Sequence, residues 1–130
     1  MKAFLSAVLF LALLPGAVMA NRLDLTEGDA GKNLILRQGD QLTVTLSTNP
    51  TTGYSWNVVD RSQGLLKQVG ESRFVQSSHR PGMVGVGGRQ VWTFLAVATG
   101  KTTLGFSYAR SWERGVAPVR MIEWPVTIRK

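Results

Sequence analysis

One histidine, His79, no cysteine, eight acidic and fifteen basic side chains leave this chain few ways to make or break bonds. No thiolate nucleophile, iron–sulfur cluster or thiolate zinc site is available, and a metal site built on several histidines is excluded. A Ser-His-Asp arrangement is only formally open. His79 stands beside Arg80-Pro81 in a polar stretch with no carboxylate pair at metal-ligand spacing, and it reads as a solvated loop residue. Side-chain catalysis, a metal and a cofactor are therefore not expected, and the chain is not expected to be an enzyme.

The residues with a chemical task are of another kind: groups that fill or approach another surface. They fall in three segments, Asn49-Pro50-Thr51-Thr52-Gly53-Tyr54, then Gly85-Val86-Gly87-Gly88, then Arg110-Ser111-Trp112. Pro50 fixes φ and removes a donor, which stiffens a loop before any partner arrives. Gly53 allows a positive φ and lets the turn close. The Thr51 and Thr52 hydroxyls are compact and able to meet polar groups. Gly85, Gly87 and Gly88 offer bare backbone that another chain could approach closely. Trp112 sits among Arg, Ser, Glu and Gly, outside any apolar alternation, so it is expected to be exposed as a rigid anchor with an indole donor. Arg110 could reach a partner or brace its own loop through carbonyls. Taken singly, each segment has a plainer reading: a hairpin turn for the first, a bulge or flexible loop for the glycines, a core or strand-end position for Tyr54.

The elements that must hold these segments are strands. Gln41 to Ser47 and Lys101 to Tyr108 alternate polar and apolar with period two, and Leu104, Phe106 and Tyr108 share a face. In Gln90 to Val97, Trp92, Phe94 and Ala96 share one face, with Val91, Leu95 and Val97 on the other. Trp124, Val126 and Ile128 give a last strand, which Pro125 points toward a sheet edge or a bulge. Lys32 to Arg37 and Tyr54 to Val59 are further strands, and Leu65 to Ser77 is a bent one. Trp56, Trp92 and Trp124 are expected in the core. No segment after residue 20 shows an apolar stripe of helical period. The expected fold is all-β: an immunoglobulin-like antiparallel β-sandwich of seven to eight strands, with a small barrel as the alternative. If each strand reverses its predecessor, all three segments fall at one end of the sandwich, the geometry of a loop-presented binding surface.

The N-terminus reads differently. Lys2, the apolar run Phe4 to Leu14, the Pro15-Gly16 break and Ala17-Val18-Met19-Ala20 form the pattern of a secretory signal peptide. The run is shorter than the about 20 residues a membrane span needs, and a buried N-terminal helix is the alternative. Residues 1–20 are expected to be a signal peptide cleaved after Ala20, and residues 21–130 one domain. Periplasmic or secreted localisation follows, with no stable membrane anchor. Pro50 blocks Asn49 as a glycosylation site. The formal charge of +7 is scattered without a basic run, so nucleic acid is not expected as a partner; it reads as a solvated surface able to steer docking onto an acidic protein. Nothing in the sequence calls for an oligomer, and a monomer is expected.

Asn49-Pro50-Thr51-Thr52-Gly53-Tyr54, Gly85-Val86-Gly87-Gly88 and Arg110-x-Trp112, in that order, resemble the chagasin family of cysteine-protease inhibitors. The resemblance covers nearly all of residues 21–130. It implies an immunoglobulin-like sandwich whose three loops enter the cleft of papain-like, cathepsin L-like proteases. By that analogy the first loop lies at the catalytic cysteine and blocks it without a covalent bond. The protease-binding residues would be Asn49, Pro50, Thr51, Thr52, Gly53, Tyr54, Gly85, Val86, Gly87, Gly88, Arg110 and Trp112. The third motif departs from the family's usual Arg-Pro-Trp, with Ser111 in place of the proline. The competing reading is an exported immunoglobulin-like binding module for an envelope protein or a glycan. A glycan binder would need an aromatic platform among Asn, Gln or Asp side chains, and only Trp112 with Glu113 comes near that.

Overall fold

Period-two alternation becomes burial on one side of each strand. A computed structural model describes residues 20–61, 63–77 and 87–130. Among these, the strands are β1 (Arg22–Leu25), β2 (Leu34–Arg37), β3 (Gln41–Thr48), β4 (Tyr54–Arg61), β5 (Leu66–Gln68), β6 (Arg73–Gln76), β7 (Gly88–Ala96), β8 (Gly100–Arg110) and β9 (Arg120–Arg129). Leu42, Val44 and Leu46 of β3, Trp92, Phe94 and Ala96 of β7, Leu104 and Phe106 of β8, and Ile122, Trp124, Val126 and Ile128 of β9 are all buried. These residues form one core between two sheets. One sheet runs β1-β3-β7-β5, with β6 also on β7; the other runs β2-β9-β8-β4.

The sandwich is the expected one, with two differences. Leu65 to Ser77 is two strands, β5 and β6, both paired with β7 and separated at Gly70, whose φ is 68°. β1 was not anticipated, because four residues carry too little alternation to stand out. The pairs β1·β3 and β2·β9 are parallel, and the remaining pairs are antiparallel. The chain passes from β1 across to the other sheet for β2 and returns for β3. Only hairpin-linked neighbours are obliged to reverse, so crossing between sheets permits parallel edges. Pro125 lies on β9, between β8 and β2, not on an edge strand. Its β2 neighbour begins one rung later, at Leu34 opposite Val126, so β9 is locally an edge where the proline stands.

Aromatic rings fill the centre. Phe106 packs against Trp92 at 4.8 Å and meets Trp124 edge-on at 6.0 Å. Trp56, Trp92 and Trp124 are buried as expected. A buried indole N–H needs an acceptor: Trp124 Nε1 donates to the Asp29 carbonyl at 2.7 Å and Trp56 Nε1 to that of Ser47 at 2.9 Å. No helix among the described residues is long and apolar enough to cross a membrane. Residues 1–19, which carry most of the expected signal peptide, lie outside the described residues.

Candidate functional site

Strand register assembles the site. Thr48, the last residue of β3, pairs with Gly88, the first of β7. Tyr54, the first of β4, pairs with Arg110, the last of β8. The loop joining Thr48 to Tyr54 therefore leaves one sheet beside the glycine segment and enters the other beside the Arg110 segment. Gly85 and Val86 lie outside the described residues, as does His79; Asn49 to Tyr54, Gly87, Gly88, Arg110 and Trp112 all lie at this one end.

The first loop is closed by its own side chains. Pro50–Thr52 forms a 3-10 turn, in which the Thr52 N–H donates to the Asn49 carbonyl at 3.1 Å. Asn49 Oδ1 accepts from the Thr51 N–H at 3.3 Å and from Thr51 Oγ1 at 2.7 Å. Thr52 Oγ1 donates to the Asn49 carbonyl at 2.7 Å and accepts the Tyr54 N–H at 3.3 Å. Both hydroxyl protons are thus committed inside the loop, not offered outward. Short hydroxyls find the nearest backbone acceptor, as they do in turns generally. The effect is a loop ordered before binding, with Thr51 and Thr52 still exposed.

Gly53 closes the turn at φ 82°, in the left-handed region that glycine tolerates best. It has a second task. A Cβ there would overlap the Trp112 ring, lying 2.9 Å from its Cζ3. The tip of the Trp112 ring thus lies against Gly53, and the residue stays 64% exposed. Arg110 ties the first and third segments together. Its Nε donates to the Thr52 carbonyl at 3.2 Å. Its guanidinium stands 4.3 Å over the Tyr54 ring, 5.8 Å from that of Trp112, and 4.0 Å from Glu113. Arg110 therefore braces, as one of its two sequence readings allowed. The Glu113 N–H donates to the Arg110 carbonyl at 3.2 Å, which makes Arg110–Glu113 a four-residue turn with Ser111 first of its two central residues.

Sequence reasoning missed Tyr108. Tyr54 stacks on it at 5.3 Å, and it in turn packs on Trp56 at 4.7 Å. A column therefore rises from the core through Trp56, Tyr108 and Tyr54 to Arg110. Tyr108 shares a face with Leu104 and Phe106, so it read as core; its place opposite Trp56 appears only with the β4·β8 register.

The described glycines of the second motif are not bare. Gly88 is buried, and a Cβ on it would meet the Val75 carbonyl and stand 2.6 Å from Phe74 Cζ. A Cβ on Gly87 would stand 2.9 Å from the Thr48 carbonyl. These positions admit close packing within the chain, and the strand pairing of Gly88 leaves little of it for a partner. Phe74, seated on Gly88, remains 47% exposed. Among the described residues no group of three or more His, Cys, Asp or Glu could hold a metal ion.

The arrangement is a preordered edge with an exposed aromatic, and the chain that carries it has known relatives. The sequence model of the chagasin family peptidase inhibitor I42 matches residues 35–128. Amoebiasin-2 of Entamoeba histolytica is 31% identical over 121 residues, covering 93% of this chain and 97% of that protein. Amoebiasin-1 of the same organism is 34% identical over 90 residues, 69% of this chain and 84% of its own. The crystal structure of the cysteine protease inhibitor EhICP2 from Entamoeba histolytica is similar with a TM-score of 0.76 at 28% identity, covering 87% of this chain and all of that one (100%).

Proposed function

The chain belongs to the chagasin family of peptidase inhibitors and inhibits cysteine proteases, and we propose that it does so reversibly, through the preordered edge just described. The partners are papain-like cysteine proteases of the cathepsin L-like kind. The Asn49–Gly53 loop enters the cleft at the catalytic cysteine, and no covalent bond forms. Trp112 covers the adjoining wall of the cleft, with Gly87 on the other side of the first loop. The protein acts as a plug and not as an enzyme.

The observation that carries this reading is the Trp112 ring seated on Gly53, which joins two of the three motifs into one surface. Preordering matters because loops fixed only on binding would lose affinity to conformational entropy. The Asn49, Thr51 and Thr52 bonds and the Arg110 brace hold this surface in the free protein. We also propose that residues 1–20 are an export signal removed after Ala20, delivering residues 21–130 to the periplasm or the outside. The Lys2 charge, the apolar run and the small residues before Asn21 support this.

Titration of papain and a cathepsin L-like enzyme with purified protein tests the function. Stoichiometric, reversible loss of activity is expected at nanomolar concentrations. No inhibition of either enzyme at micromolar concentration would overturn the reading.

A further inference from the structure

Asp40 is a buried carboxylate, at 7% exposure. It lies in the turn between β2 and β3, at the opposite end of the sandwich from Trp112. Its Oδ2 accepts the Arg37 N–H at 2.8 Å, and its Oδ1 accepts the Asn21 N–H at 3.1 Å. Among the described residues no lysine or arginine side chain forms an ion pair with it. A buried carboxylate without a cation is an unusual thing to keep.

Asn21 is also the residue that sequence places first after cleavage. Its carbonyl accepts the Gln41 N–H at 2.9 Å, and β1 begins at the next residue, whereas Ala20 is exposed. We propose that Asp40 is the docking site for the chain's own α-ammonium group, created when the segment ahead of Asn21 is removed. The proposal rests on cleavage after Ala20. Hydrolysis of the Ala20–Asn21 bond consumes one water. Ala20 leaves with the new carboxylate, and the Asn21 nitrogen takes up a proton to become –NH3+. That nitrogen already stands beside Oδ1, so a neutral amide contact becomes a charge-assisted pair without rearrangement. Processing thereby supplies the missing cation and fastens the start of β1 to the β2–β3 turn.

The pair predicts a pH dependence that a simple cap would lack. Pairing raises the α-ammonium pKa above its ordinary value of about 8. The stabilisation is complete below that value and is lost as pH rises through the raised one. The other charged groups on the surrounding elements are Arg22 and Asp24 of β1, Arg37 of β2, Lys67 of β5 beside the end of β7, Arg89 at the far end of β7, and Arg129 with Lys130 at the end of β9. Arg22 donates to Gln41 Oε1 at 3.4 Å, and Arg37 meets Asp40 through its main chain. Guanidinium groups keep their charge throughout this range.

The test begins by exporting the full chain from a bacterial host and sequencing the N-terminus of the product. A start at Asn21 is expected, and any other start overturns the proposal. Thermal midpoints of that product and of its Asp40→Asn variant are then compared from about pH 6 to about pH 10, a range that brackets the α-amino group. A gap of about 3–5 °C is expected at the acid side, the size of a partly exposed ion pair in a small domain, and it should narrow as pH rises past about 8. Acetylating the Asn21 nitrogen of the exported product should lower the midpoint at neutral pH and remove the narrowing. A gap that stays constant across the range, or acetylation without effect, would show that Asp40 serves only the Arg37 N–H, and would overturn the proposal. Papain inhibition, measured in parallel, should be equal in all three proteins. It therefore separates failure here from failure of the protease reading.

Discussion

The two ends of the sandwich are tied by different atoms. At the Asp40 end most ties run main chain to main chain: the Gly39 N–H donates to the Ala96 carbonyl at 2.8 Å, Ala96 N–H to Asp40 at 2.9 Å, Gln38 N–H to Arg129 at 2.7 Å and Val97 N–H to Leu65 at 2.9 Å, with the Asp40 carboxylate and the Gln38 side-chain amide on the Val97 carbonyl as additions. At the Trp112 end the ties are side chains: Arg110 on the Thr52 carbonyl, Arg110 on Tyr54, Trp112 on Gly53. Backbone ties are nearly independent of which side chains stand there, so they close a fold. Side-chain ties fix particular groups in particular places at a surface, so they prepare a contact. The difference implies that function and stability can be damaged separately, and each prediction below tests that separation.

The largest expected effect comes from Gly53→Ala. The added methyl group displaces the Trp112 ring and strains a residue held at φ 82°. Two motifs are lost together, and the inhibition constant should rise by at least about 100-fold, more than the loss of one interface anchor. Trp112→Ala removes the anchor alone and should raise it about 30-fold. Because Trp112 is 64% exposed, its thermal midpoint should stay within about 2 °C of the parent, as for most surface substitutions in a domain of this size. A midpoint falling in step with inhibition in Trp112→Ala would break the comparison, since the binding end would then also be holding the fold.

Asp40→Ala should do the converse. It strips the Arg37 and Asn21 N–H groups of their acceptor, which costs about 1–3 kcal/mol and lowers the midpoint by roughly 5–15 °C. The inhibition constant measured below the new midpoint should change less than twofold. A smaller effect returns to the binding end. Ser111 occupies the turn position at which proline's fixed φ fits best. Ser111→Pro should bind equally well or up to about fivefold tighter, mostly through slower dissociation, by reducing the freedom the loop loses. Stopped-flow association and dissociation rates would show it, and weaker binding would mean that the Arg110–Glu113 turn needs the serine.

How much of this was legible follows from the range of each force. β3, β7, β8 and β9 announce themselves by alternation, since each buries one face, and the loops between them by turn chemistry. Register is not written locally. The places of Thr48 beside Gly88 and Tyr54 beside Arg110 follow only once strands pair, so a shared end was inferable but not the Trp56–Tyr108–Tyr54–Arg110 column. Glycine was misread for a similar reason. Gly88 looks like exposed backbone in the sequence, because the Phe74 ring that covers it comes from a different strand. β1 and the parallel edges were illegible because four residues carry no strong period and their pairing is set by the crossing between sheets.

The smallest effect concerns a group at neither end. Asp29 closes the short turn Glu27–Asp29 that carries the chain from β1 toward β2. Its carboxylate accepts the Thr26 N–H at 2.9 Å and pairs with Lys32 Nζ at 2.9 Å. These contacts, the Thr26 hydrogen bond first and Lys32 second, hold its pKa below the ordinary carboxylate value. A lowered pKa stabilises the fold above the unfolded-state value of about 3.9 and ceases to do so as pH falls through the folded one. The thermal midpoint of the parent should therefore decline more than that of Asp29→Asn on acidification below about pH 4, so that the difference between them shrinks. The exposed position of Lys32 keeps the effect small, and salt should weaken it further. The Asp29 main-chain carbonyl, which receives the Trp124 indole, is untouched by the substitution, so the core should not feel it. Inhibition at neutral pH should be equal in the two proteins. A loss there would mean that the β1–β2 crossing helps to position the binding edge, through the Glu27 carboxylate that accepts the Ser47 N–H at 2.9 Å just below Asn49.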